Sequence, residues 1–241
     1  MSRRGGRLLL PALCIIGACL FTALGIWQVE RRAWKLDLIE KVERGIAADP
    51  VPLPPWQAWD TLDACAMEYR KVRATGHLLH SRETLVDALT ERGPGYWVVT
   101  PLRMAEGTVV VNRGFVPPQL RAQASRPESL IPGQVSLVGL MRCSEPGGRV
   151  LRPNRPGENR WYSRDVAAIA AAQRLNQVAP FFIDAGPARN PGGFPIGGLT
   201  VTKFRNTHLV YALTWFSLAG LCLFGLMITV RSNQERRTPS L

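Results

Sequence analysis

Two stretches of the chain break the usual alternation of polar and apolar positions. Residues 8–29 and 209–230 are strongly apolar and carry no charged side chain. A helix rises about 1.5 Å per residue, so about 20 residues cross a hydrocarbon core about 30 Å thick. Each stretch therefore predicts a transmembrane helix, the second opening at His208. Beyond the first, Trp34, Leu38, Val42 and Ile46 recur every fourth position with charges between them. That period predicts a helix continuing out of the membrane. Asp49-Pro50-Val51-Pro52-Leu53-Pro54-Pro55 ends it, because proline lacks the N–H a helix needs.

Between the spans the pattern changes to short runs rich in Val, Leu, Thr and aromatics. These predict strands at 69–79, 84–89, 96–104, 108–116, 135–141, 180–183 and 200–204. Gly93-Pro94-Gly95, Pro117-Pro118 and Pro146-Gly147-Gly148 punctuate them. Val109-Val110-Val111 suits a central strand. One helix is expected at 166–175, with Asp165 as its cap. The fold class is thus a membrane protein with two transmembrane α-helices flanking a mainly antiparallel β (α+β) extramembrane domain. Its parts are an N-terminal tail 1–7, helix 8–29, domain 30–207, helix 208–230 and C-terminal tail 231–241.

Charge sets the orientation. The formal net charge is +12. No nucleic-acid motif accompanies it, so it reads as charge facing acidic lipid or acidic partners. Arg3, Arg4 and Arg7 precede the first span, and Arg231, Arg236 and Arg237 follow the second. Both tails are expected in the cytoplasm by the positive-inside rule. Arg31, Arg32, Lys35, Lys41 and Arg44 oppose this, but long domains translocate largely regardless of charge. Ile16-Gly17-Ala18-Cys19 has the form of a lipoprotein box, yet the apolar run continues to Trp27, so a retained anchor is expected. Without an Arg- and Ser-rich leader before the first span, a bacterial protein is favoured over an organellar precursor. Of five cysteines, Cys65 and Cys143 lie in the domain and could pair in an oxidising compartment; no C-x-x-C occurs.

Only three histidines are available for chemistry. His77 and His80 would face opposite sides of a strand and cannot share a metal. His208 stands at the mouth of the second span. On a helix it shares a stripe with Tyr211, Ala212, Trp215, Ala219 and Cys222. A neutral imidazole at membrane depth above an apolar stripe could ligate haem iron. It could also be an interfacial histidine beside an aromatic belt. Cys14, Ala18, Thr22 and Gly25 form a small-residue stripe suited to close helix packing. No nucleophile–base set or phosphate loop is visible, so no enzyme activity is expected.

Five segments together resemble the Surfeit locus 1 proteins, assembly factors of cytochrome c oxidase. They are Leu24-Gly25-Ile26-Trp27-Gln28-Val29-Glu30-Arg31; Pro94-Gly95-Tyr96-Trp97-Val98-Val99-Thr100-Pro101-Leu102; Val109 to Pro117; Asn159-Arg160-Trp161-Tyr162-Ser163-Arg164-Asp165; and Asn206 to Phe216. The resemblance covers nearly the whole chain, with Phe115 where the family carries Trp. It implies a bacterial inner-membrane protein with a periplasmic domain that binds haem a transiently and assists its insertion into the oxidase catalytic subunit. His208 would be the axial ligand. Trp27, Gln28, Arg31, Tyr211 and Trp215 carry over as pocket or packing residues. The oxidase catalytic subunit, haem a synthesis enzymes and membrane lipid are the implied partners. Arg31 and Arg205 could meet haem propionates or lipid phosphates. The competing readings are a structural adaptor of the oxidase that binds no haem, an enzyme acting on haem or lipid, and a two-span sensor. The short tail 231–241 argues against the last.

Overall fold

The computed structural model describes residues 3–202 and 206–235. The chain divides into two compact units, one of residues 1–41 with 203–241 and the other of residues 42–202.

In the first unit, helix α1 (Arg3–Ala47) and helix α3 (His208–Glu235) are long and apolar enough to cross a membrane. Only 11% of the most apolar stretch of α1 and 6% of that of α3 is buried. A soluble core helix would be mostly buried, whereas Ile16, Leu20, Ile26, Leu213, Leu221 and Phe224 stand exposed. Apolar faces of that extent call for an apolar solvent. The continuation of α1 past the apolar run to Ala47 is as the four-residue period predicts.

The second unit is built on nine strands: β1 (Val51–Pro52), β2 (Lys71–Leu78), β3 (Thr84–Thr90), β4 (Gly93–Met104), β5 (Gly107–Val116), β6 (Gln134–Cys143), β7 (Gly148–Arg149), β8 (Arg152–Pro153) and β9 (Val178–Ala185). The main sheet runs β1-β2-β6-β9-β5-β4-β3, and β2 also pairs with β4. That extra pairing closes β2, β6, β9, β5 and β4 into a five-stranded barrel of the OB-type Greek-key order. Its pairings are antiparallel except β5 with β9, and β1 joins β2 in parallel outside it. Strands alternate their faces, so Val109, Val111, Phe181 and Ile183 fill the barrel with Leu102 and Met141. Val110 and Phe182 point outward and are covered by Trp161, Val166 and Ile169. Both faces of β5 are buried, which is why its valines need not alternate with polar residues.

Two expected elements differ. The helix α2 (Val166–Ala172) is shorter than 166–175. Arg174 takes φ +51, and Leu175 N–H bonds back to Ala170 O while Arg174 N–H bonds to Ala171 O. This is a Schellman stop at a residue with a Cβ, which a search for glycine misses. Asp165 does cap the helix, accepting from Ala168 N–H. No strand forms over 200–202, and the rest of that expected strand lies outside the described residues, as do Arg205, Arg236 and Arg237.

Buried charge links the elements. Asp184 Oδ1 accepts from Asn112 Nδ2 at 2.8 Å and Arg164 Nη1 at 3.1 Å; Oδ2 accepts from Thr200 Oγ1 at 2.9 Å and Arg142 Nη1 at 3.0 Å. Arg142 also meets Glu68, and Arg164 meets Glu145. Burial would raise the Glu145 pKa, but hydrogen bonds and charge from Arg164 hold it below its usual value of 4.5. A second cluster lies under residues 118–131. There Arg126 pairs with Glu83, and Arg113 Nη2 donates to Ser129 O. Burial lowers Arg113 to about 10 and pushes His80 below 6.5. His80 Nδ1 and Arg113 Nη1 are buried without a partner among the described residues.

Cys65 and Cys143 form a disulfide with Cα atoms 4.8 Å apart, fastening the turn before β2 to the end of β6. A cross-link spanning 78 residues stabilises by about 4 kcal/mol when its strain is small. Cys143→Ser should therefore lower the melting temperature of the purified protein by well over 5 °C, and alkylation mass should find Cys65 blocked in the unreduced wild type. Acid should also destabilise the domain in two steps. His80 is harder to protonate folded than unfolded, so stability present above 6.5 declines as pH falls through its lowered pKa. Glu145 adds a second loss below 4.5. Thermal melts against pH in wild type and His80→Gln check this, the first step vanishing in the variant.

Candidate functional site

The two-helix unit owes its seam to spacing. On α1, Cys14, Ala18, Phe21, Gly25 and Gln28 recur at alternating steps of four and three, and on α3 so do His208, Ala212, Trp215, Ala219 and Cys222. This is the period of antiparallel helices packed side by side. Phe21 and Trp215 stack with centroids 5.6 Å apart. A Cβ on Gly25 would lie 2.6 Å from the Phe216 ring, and one on Gly17 would lie 2.9 Å from Cys222 Sγ. Glycine at these points lets the backbones approach. The expected small-residue stripe thus meets α3 through Cys14, Ala18 and Gly25, whereas Thr22 faces outward.

At the polar end of this seam lies one close polar contact. His208 Nδ1 is 2.7 Å from Oε1 of Gln28, which is itself only 9% exposed. His208 opens α3, where Asn206 Oδ1 accepts its backbone N–H. In its Nδ1–H tautomer the ring donates to this carbonyl oxygen and keeps the Nε2 lone pair. That is the tautomer a metal-ligating imidazole needs, with its second nitrogen oriented by a neighbour. An imidazole held in this way could ligate a metal through Nε2. Among the described residues no cluster of three or more His, Cys, Asp or Glu is placed to hold a bare metal ion.

The other sequence-derived candidates separate into two groups. Trp215, Ala212, Ala219 and Cys222 pack in or beside the seam. Trp27 and Tyr211 stand 54% and 53% exposed, on the outside. Arg31 places its guanidinium 4.0 Å from the Trp34 ring centroid. His77 and His80 lie in the other unit, one on β2 and one in a turn where its Nε2 contacts Ile131 O. Sequence reasoning singled out His208 but not what holds it: Gln28 is 180 positions away, and only the four-three spacing on both helices could have aligned them.

A glycine seam is sensitive to added bulk. Gly25→Leu would drive a side chain into Phe216 at a cost of about 1–3 kcal/mol. It should lower the detergent-solubilised melting temperature, while Leu20→Ala on the exposed face should not.

A model of the SURF1 family matches residues 15–220. Surfeit locus protein 1 of Mus musculus is 38% identical over 227 residues, 87% of this chain and 71% of the mouse protein. Its counterpart in Homo sapiens is 38% identical over 214 residues, 81% of this chain and 69% of the human protein. A SURF1-like protein of Monosiga brevicollis is 35% identical over 92% of this chain and 87% of its own length.

Proposed function

The chain belongs to the SURF1 family, and from that premise we propose that it is a membrane-anchored assembly factor of haem-copper cytochrome c oxidase that binds haem a and helps deliver it to the catalytic subunit. The observation that carries the haem reading is the Gln28–His208 pair. Gln28 fixes the ring and its tautomer, and His208 offers Nε2 to iron. Buried Ala212 and Ala219 and the stacked Phe21–Trp215 pair keep the seam closed beneath it. Exposed Trp27 and Tyr211 supply aromatic surface near each end of that pair in sequence, and Arg31 supplies a cation for propionate. Haem a itself would supply the redox iron the oxidase uses. No residue is asked to make or break a bond, so the role is that of a binding module and chaperone.

The placement we propose has both termini in the cytoplasm of a bacterium and the barrel domain in the periplasm. The Cys65–Cys143 disulfide supports it, since such bonds persist in oxidising compartments. The competing reading is a structural adaptor that stabilises oxidase intermediates without haem. It is favoured by the use of Trp215 and Phe21 in packing one helix on the other.

Absorption spectra of detergent-purified protein from cells that make haem a separate the two. Wild type should show a reduced haem a band, and His208→Ala should lack it. Gln28→Leu should keep His208 but weaken haem affinity by roughly 10–100-fold, as loss of an orienting partner does at metal sites. Absence of a band in every protein would favour the adaptor, and equal bands in wild type and His208→Ala would remove His208 as ligand.

A further inference from the structure

We propose that the hairpin formed by β7 and β8 is a docking tip for a protein partner whose surface offers an apolar hollow with an acidic rim. Resting on the reading above, that partner is the oxidase catalytic subunit. Val150 and Leu151 form the turn and are 91% and 96% exposed. Leu151 takes φ +64, a region where glycine or asparagine is the usual choice. Folding thus gains nothing from either aliphatic side chain and pays in backbone strain. Arg149 and Arg152 flank the pair in sequence.

The tip is held in place. Gly147 N–H donates to Asp165 Oδ2 at 2.9 Å, Arg149 Nη2 donates to Asp87 O at 3.1 Å, and Arg152 lies 5.9 Å from the Tyr162 ring centroid. Asp87 is on β3, two residues from Leu89, another bare aliphatic at 75% exposure. Arg92 follows in the next turn. An ordered apolar tip bearing arginines is complementary to an apolar hollow with carboxylates around it.

The tip's position is defined within the domain. The chain enters the domain beside the start of β2, where a Cβ on Gly45 would lie 2.7 Å from Tyr69 O. β2 and β3 then run in the same direction along β4, β2 pairing at 102–103 and β3 at 93–99. The hairpin is fastened to β3, well along this path from the point of entry.

The test places photoreactive benzoylphenylalanine at position 151, and separately at 150, in the full-length protein in membranes of cells assembling the oxidase. Glu106, exposed in the β4–β5 turn, is the control position. Both tip positions should cross-link to the oxidase catalytic subunit, identified by mass, and Arg149→Glu with Arg152→Glu should cut the yield by roughly tenfold. Adducts with phospholipid only, adducts with some other protein only, or no adduct above the control overturn the proposal. The haem spectrum of the same preparations reads the other claim separately. A retained band without a cross-link overturns the docking tip alone, whereas a lost band with the cross-link intact supports the tip and counts against haem binding.

Discussion

One buried carboxylate ties the barrel domain together. The side chain of Asp184 is 4% exposed, and its two oxygens accept four hydrogen bonds, from β5, β6, the loop before α2 and the segment leading to α3. A buried carboxylate left unpaired would cost several kcal/mol, so each partner is needed where it stands. This requirement joins segments far apart in sequence. Asn112 sits in the Asn-Arg-Gly-Phe run, Arg164 in the Trp-Tyr-Ser-Arg run, and Thr200 near the exit from the domain. The outer halves of the network, Glu68 and Glu145, then satisfy the two arginines that Asp184 holds. The disulfide at Cys143 fastens β6 one residue beyond Arg142.

The two units carry different tasks. In the two-helix unit, small residues at alternating steps let two apolar helices approach until one glutamine reaches one histidine. In the other, a closed barrel with both faces of its middle strands covered leaves no bare main-chain edge within the ring. It supports an outlying strand, β3, and a rigid hairpin beyond it. Arg113, in the same run as Asn112, donates to the carbonyl of Ser129, and burial lowers its pKa to about 10. That run therefore serves two clusters at once, with Asn112 turned to Asp184 and Arg113 toward Ser129.

Much of this was legible in residue order, because local rules decide it. Charge-free runs set both apolar helices, a four-residue period carried the first one onward, and prolines ended it. Alternation and turn residues located β2 to β6 and β9 to within a few positions, and Asp165 announced its helix. The misses have local causes too. The Arg174 stop escaped because a left-handed cap at a residue other than glycine leaves no compositional mark. The apolar hairpin turn escaped because Val-Leu holds none of the Gly, Asn, Asp or Pro residues that mark a turn.

Sequence by itself determined the helices and most of the strands, since periodicity, capping and hydropathy act over a few residues. Tertiary structure alone decided that the barrel closes through two residue pairs between β2 and β4, that Cys65 meets Cys143, and that Asp184 gathers four donors. It also decided that Trp215 packs inward while Trp27 and Tyr211 face out, and that Gln28 holds His208. Those outcomes depend on distances between positions tens to hundreds of residues apart, set by packing and charge pairing that no local pattern records.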